Sequence, residues 1–285
     1  MKEFMYDIDV GLISIILLAS TALALELGYR VGFRFREKTD APSREHIHQT
    51  ETATVGLLAL LLAFTLSQSL QRYDSRSDQV VDEANAIGTA WLRIDLLPPS
   101  LRDEVRSRMR EYIDLKVKAG TVSTVQVDET RAIVAETGRL QTDLWSYAGR
   151  AAELDPSPVR SGLFVQALND MIDSHGRRDA GLARHVPEVV LLLLYGVFLI
   201  TSTIVGFASG VAGHRPSSVS LVMVGLIVAL IFVILDLDRP RRGLIEVSKK
   251  SLYDLQASIG PAPRAPALSG PLPASAARPG SGASR

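Results

Sequence analysis

The sequence predicts an all-α protein: four transmembrane helices with a cytosolic helical segment inserted between the second and third spans. Three observations carry this. Mean hydropathy is +0.17 although 22% of residues are charged, so the apolar residues must be concentrated. Four charge-free apolar windows stand apart in the 285-residue chain. Between the second and third of them, residues 72–187 place apolar side chains at helical spacing, and no stretch shows the period-two alternation of a strand.

A spanning helix needs about 20 mostly apolar residues. Asp9 and Glu26 bracket a first window of 16 residues, which Leu27, Gly28 and Tyr29 extend past a carboxylate near the interface. Glu51 and Arg72 bracket 20 residues, Glu188 and His214 bracket 25, and Arg215 and Asp236 bracket 20. The first window has a rival reading, because Ala22-Leu23-Ala24 resembles a signal-peptidase site after an apolar core. The leading residues carry Lys2 against Glu3, Asp7 and Asp9, whereas a signal peptide wants positive charge there, so a retained span is the expectation. Four spans put both termini and residues 72–187 on one side. Nine Lys and Arg residues flank the spans on that side and six on the other, which by the positive-inside rule makes the first side cytoplasmic. Residues 30–44 taken alone argue the reverse. The expected location is the cell inner membrane, with the lipid bilayer as the first partner.

Val80, Ala84, Ile87, Trp91 and Ile94 recur at spacings of 4, 3, 4 and 3. Nothing breaks the chain between Leu70 and Leu97, so the second span should continue out of the membrane as one long helix until Pro98-Pro99 ends it. Ser100, with Asp103 three residues on, should cap the next helix, whose apolar face is Leu101, Val105, Met109 and Tyr112. Ile133, Thr137, Leu140, Leu144 and Tyr147 mark a third helix. After the break at Asp155-Pro156-Ser157-Pro158, Phe164, Leu168, Met171 and His175 mark a fourth. From Gly260 the chain is Pro-, Ala-, Ser- and Gly-rich without periodicity, a composition expected to stay disordered. The resulting organisation is 1–71 (two spans and a basic connection), 72–187 (helical insertion), 188–256 (two spans and an amphipathic stretch) and 257–285 (tail).

Composition also excludes function classes. Lys and Arg number 31 and Asp and Glu 31, so no bulk positive charge recommends a nucleic-acid partner. With no cysteine, thiolate metal sites and thiol nucleophiles are excluded. His46 and His48 with Glu45 offer a metal too few ligands on a loop, so no metal and no cofactor is expected. No Ser-His-Asp set and no paired carboxylates in an apolar pocket stand out, so no enzyme is expected. Gly206, Gly210 and Gly213 have phosphate-loop-like spacing but fall in an apolar helix, where close helix approach is their use.

The stretches ETATVGLLALLLAFT (51–65), RYDSRSDQVVDEANAIGTA (72–90), LLP (96–98), LNDMID (168–173) and DLDRPRRGLI (236–245) together resemble the bestrophin-like domain family of bacterial membrane proteins. Its name implies likeness to bestrophins, pentameric anion channels with four spans per subunit, cytosolic termini and a long helix from the second span lining the pore. The resemblance implies architecture before activity. Arg72-Tyr73 followed by Arg76 is similar to an arginine–aromatic–arginine stretch beyond the second span of bacterial bestrophins, at a different spacing.

Thr65, Ser69, Arg72 and Arg76 share one helical face. In a homo-oligomer a ring of such faces would present hydroxyls in the membrane and guanidinium groups at the mouth, and Arg rings favour anions. The alternative is that Arg72 and Arg76 anchor at headgroups or pair with Asp74 and Asp78. Leu57, Leu61 and Phe64 form an apolar stripe able to gate by dewetting or merely to pack or contact lipid. Gly56, Ala59, Ala63 and Ser67 form a small-residue stripe suited to close helix approach. Glu83 and Asn85 on the long helix, and Asn169 and Asp170 on the fourth, are expected to join Arg177 or Arg178 in a buried polar network that positions helices. Asp236, Asp238, Arg239, Arg241 and Arg242 end the fourth span, where Pro240 and Gly243 redirect the chain and the charges either lock the span end or meet headgroups. Two function classes therefore stand: an oligomeric anion or small-solute channel, and a membrane-anchored scaffold or sensor whose insertion binds a protein.

Overall fold

The computed structural model describes residues 10–121, 127–239 and 244–260. The described residues form eight α-helices in this order: α1 (Val10–Phe35), α2 (Ala41–Arg93), a 3-10 turn (Ile94–Leu96), α3 (Pro99–Thr121), α4 (Val127–Leu154), α5 (Ser161–Leu182), α6 (Glu188–Ala212), α7 (Ser218–Asp238) and α8 (Lys250–Ile259). Four are long and apolar enough to cross a membrane: α1, α2, α6 and α7. Lys2, Pro240, Arg241, Arg242, Gly243 and the tail beyond Gly260 lie outside the described residues.

The expected rod exists. α2 is a single helix of 53 residues, or about 80 Å at 1.5 Å per residue, uninterrupted past Gln71. It begins earlier than the apolar window suggests, because Asp40 caps it by accepting from the Ser43 amide and Pro42 stands in the first turn. α1 likewise runs to Phe35, so the link between the first two spans is only five residues, 36–40. His46 and His48 thus lie on a helix rather than on a loop, and His48 Nδ1 is 3.3 Å from Glu51. The expected Ser100 cap is displaced by one turn position: α3 starts at Pro99, with the Leu101 amide donating to the Pro98 carbonyl at 3.0 Å.

Two apolar clusters organise the chain. In the insertion, Ile87, Ile94, Met109, Tyr112, Leu144 and Phe164 bury completely, and every stripe read from the sequence points into this cluster. Leu252 of α8 closes it from the C-terminal side, packing that helix on α2 and α3. Among the spans, Leu17, Leu58, Leu62, Leu194, Phe198 and Ile234 form the second cluster.

α1 and α6 pack along their length through glycines. A Cβ on Gly28 would stand 2.1 Å from the Thr203 carbonyl oxygen, one on Gly206 2.1 Å from that of Leu25, and one on Gly210 2.3 Å from that of Tyr29. The two backbones therefore touch directly, the small-residue packing that lipid-embedded helices favour. Gly213 has another duty: at φ +82° it is the left-handed C-cap of α6, its amide bonded to the Gly210 carbonyl. Gly206→Ala should lower the thermal midpoint in detergent. Overpacking costs about 1–3 kcal/mol, exceeding the about 0.5–1 kcal/mol that Gly→Ala returns to a helix. Gly196→Ala, with nothing within 4 Å, should leave the midpoint level or raise it.

Candidate functional site

Where α2 leaves the apolar window, its two faces diverge. The inward face runs Leu58, Leu62, Thr65, Ser69, Arg76, Val80, Glu83 and Ile87, all buried. The outward face runs Gly56, Leu57, Leu60, Ala63, Phe64, Ser67 and Gln71, then Asp74, Asp78 and Asp82, all exposed.

The inward face carries a junction just beyond the apolar window. Arg76 is 4% exposed. Its Nε donates to the Gly181 carbonyl at 3.3 Å, its Nη1 to Leu237 at 3.2 Å, and its Nη2 to Arg184 at 2.7 Å and Asp238 at 3.3 Å. These carbonyls belong to the ends of α5 and α7 and to the link after α5, where helices leave acceptors unsatisfied. Each helix C-terminus carries about half a negative charge, so two of them offset one guanidinium. Asp238 completes the junction: one carboxylate oxygen accepts from the Val186 amide at 2.7 Å and the other pairs with Arg72 Nη1 at 3.3 Å. The carboxylate of Asp236 accepts the Leu244 and Ile245 amides, each at 2.9 Å, and so fixes the chain after α7.

Two turns further along the same face, Glu83 is fully buried at the meeting of three helices. Lys116 Nζ of α3 lies 2.6 Å from Glu83 Oε1, His175 Nδ1 of α5 lies 3.4 Å from it, and Arg178 of α5 bonds the other oxygen. Lys116 Nζ also meets His175 Nδ1 at 2.9 Å. Burial alone pushes the Glu83 carboxyl up, but the His175 bond and the Lys116 and Arg178 charges outweigh it and hold it well below the usual carboxylate range. Burial, with the Glu83 charge behind it, pushes the nearby Tyr112 hydroxyl up.

These placements correct several expectations. Thr65, Ser69 and Arg76 are buried within the single chain. Thr65 spends its hydroxyl on the Leu61 carbonyl at 2.7 Å. Arg72 is about a quarter exposed and pairs with Asp238 rather than with Asp74. Leu61 is partly buried in the span cluster, while Leu57 and Phe64 are 50% and 62% exposed. The Gly56, Ala59, Ala63 and Ser67 stripe is exposed and serves no close approach among the described residues. Glu83 and Arg178 do form a buried pair, but Asn85, Asn169, Asp170 and Arg177 are exposed and stand outside it. The reason is register: each lies one position off its helix's apolar stripe. Asp236, Asp238 and Arg239 are buried at the end of α7. Lys116 and His175 were not expected as partners of Glu83. The signal was available, because each continues its helix's apolar stripe four residues beyond Tyr112 or Met171.

Glu83 stabilises the fold above its ordinary value of 4.5, and that stability is lost as pH falls toward the depressed native value. Glu83→Gln should cost about 3–5 kcal/mol at neutral pH, since it leaves Lys116 and Arg178 buried without a counter-charge. Unfolding in detergent between about pH 5 and about pH 3 should show a flatter acid slope in the variant than in the parent.

The fold has counterparts among solved structures. Two solved structures of single-substitution variants of a bacterial bestrophin homologue from Klebsiella pneumoniae superpose on the chain. The first has a TM-score of 0.58 at 15% identity, covering 86% of this chain and 97% of the other. The second has a TM-score of 0.55 at 17% identity, covering 89% and 90%. At such identities the likeness concerns the fold alone. No curated protein matches the chain. The model of the bestrophin-like domain matches residues 18–252, and the chain therefore belongs to the bestrophin-like family of membrane proteins.

Proposed function

We infer that several copies of this chain assemble around a common axis and conduct ions along the outward face of α2, with both termini and the insertion on the cytoplasmic side. The observation that carries this reading is the character of that face. In the apolar window it is uncovered yet holds small residues between Leu57 and Phe64, a surface suited to close approach by a neighbouring copy around a narrow apolar waist. Beyond the window the same face turns polar at Ser67 and Gln71 and then acidic at Asp74, Asp78 and Asp82. None of these three carboxylates pairs with a cation among the described residues. Rings of carboxylates favour cations. The arginines that suggested anions are turned the other way. The channel accordingly prefers small cations, and anions are the excluded species.

Protein reconstituted in liposomes should carry cation current, with a reversal potential in a salt gradient on the cation side. Replacing Asp74, Asp78 and Asp82 together by Asn should move that potential toward zero, and Phe64→Ala should raise conductance by widening the waist. A monomeric mass in detergent together with silent liposomes would sink the channel reading and favour the scaffold, in which the insertion binds a protein partner. Anion current unaffected by the Asp replacements would restore the opposite ion preference.

A further inference from the structure

Residues 30–44 carry Arg30, Arg34, Arg36, Lys38 and Arg44, and conduction along α2 uses none of them. α6 leaves the insertion at Glu188 and ends at Ala212, where Gly210 packs on the backbone of Tyr29 in α1. The link between α1 and α2 therefore lies at the end of the spans away from the insertion. The positive-inside rule concentrates cations on the cytoplasmic side, the side proposed for the insertion. Cations at the opposite end call for a local use. Arg30 pairs with Glu26 at 2.8 Å, and Arg36 lies over the Phe33 ring at 4.2 Å. Arg44 is held differently. Its Nε donates to the Thr39 carbonyl at 3.2 Å and its Nη2 to the Arg36 carbonyl at 2.9 Å. These bonds fix the guanidinium against the link but bring no negative charge. Arg44 forms no ion pair among the described residues, and it keeps further N–H groups for a ligand.

Arg44 stands on the wall of an open groove of about 500 Å³ between the start of α2, the end of α6 and the start of α7. Ligand clefts commonly measure roughly 300–1,000 Å³. Ile47, Ala208 and Val211 give the groove an apolar side, and His48, His214 and Ser220 a polar one. The carboxylate on the wall, Glu51, lies 3.3 Å from His48 Nδ1. The C-terminus of α6 and the N-terminus of α7 meet here, and their opposite partial charges offset each other. Arg44 is left as the fixed full charge. A guanidinium matches a phosphate geometrically, because two parallel N–H groups meet two oxygens. A free anion would use Arg44 and leave the apolar side bare. A phospholipid presents both parts at once, a phosphate and the roots of its acyl chains, and basic pockets between spanning helices suit such head groups.

We propose that this groove holds one anionic phospholipid, its phosphate on Arg44 and the roots of its chains against Ile47, Ala208 and Val211. The lipid joins the start of α2 to the ends of α6 and α7. The site stands whether or not ions pass along α2, and its test involves no flux. Detergent-solubilised, delipidated full-length protein is unfolded thermally with phosphatidylglycerol, with phosphatidylcholine of the same chains, or with inorganic phosphate at equal ionic strength. The midpoint should climb with phosphatidylglycerol, climb much less with phosphatidylcholine and stay level in phosphate. Native mass spectrometry should find phosphatidylglycerol retained on the chain. Arg44→Gln should weaken that binding about tenfold, the loss of one charged hydrogen bond. Ile47→Glu should weaken it as well. Ile47 belongs to neither apolar cluster, so this variant keeps the test decisive if Arg44→Gln fails to fold. Arg34→Gln, on an exposed residue of α1, should bind as the parent does. Equal stabilisation by the two lipids, or none by either, overturns the proposal. So does stabilisation by phosphate matching that by phosphatidylglycerol, since the ligand would then be a free anion. An equal loss in Arg34→Gln and Arg44→Gln also overturns it, because the attraction would then be diffuse charge.

Discussion

The guanidinium of Arg76 gathers four main-chain carbonyls that three different pieces of chain leave without helical partners. No other side chain type does this as well. The planar group offers five donors in a fixed fork and stays charged at any relevant pH. A lysine could serve three acceptors at most and would be more costly to strip of water. Because the acceptors lie at the ends of α5 and α7, the bond set fixes where the rod passes the insertion and where the last span stops. Asp238 ties the same point from the other side through Arg72 and Val186. The rotation of α2 about its own axis is thereby set just beyond its apolar window.

That rotation decides which chemistry the rod shows to its surroundings. With Arg76 inward, Ser69 and Thr65 go inward about two and three turns before it and Glu83 about two turns after it. Leu57, Phe64 and the three aspartates are left outward. Had the helix been turned by about half a revolution, as the hydroxyl-and-guanidinium reading required, the carboxylates would have been buried and the arginines exposed. The buried set cannot be exchanged for the exposed one without leaving Lys116 and Arg178 facing nothing, a loss of several kcal/mol by itself.

Much of this was legible before the structure. The four spans, the unbroken second helix and the stripes of the insertion follow from hydropathy and a 3.6-residue period, which are strong signals over long helices. The face of α2 was misjudged by treating the span and the insertion separately. The apolar stripe of the insertion begins at Val80, and one step of four residues back from Val80 is Arg76. Carried through the boundary, the stripe places Arg76, Ser69 and Thr65 on the core side. A charge on an apolar stripe is a statement that a partner waits inside, and the same rule would have found Lys116 and His175. What no pattern could supply is the identity of Arg76's partners. They are backbone carbonyls contributed by tertiary structure, and they have no sequence signature.

Arg178 links the two buried centres of the rod. On one side it bonds Glu83, which also holds Lys116 of α3; on the other it borders a small cavity shared with Arg76 and Arg239. The insertion and the spans are thus joined by a short chain of charged groups running from α3 through α5 to the last turn of α7, with α2 threaded between. Apolar packing alone would let α2 slide or turn against its neighbours at little cost, since one buried leucine is much like the next. A carboxylate matched to three donors, and a guanidinium matched to four carbonyls, have one satisfactory position each, because a displaced partner is left buried and unpaired. Two such matches two turns apart on one helix leave it neither rotation nor translation. The outward face is held in register by bonds made entirely on the inward one.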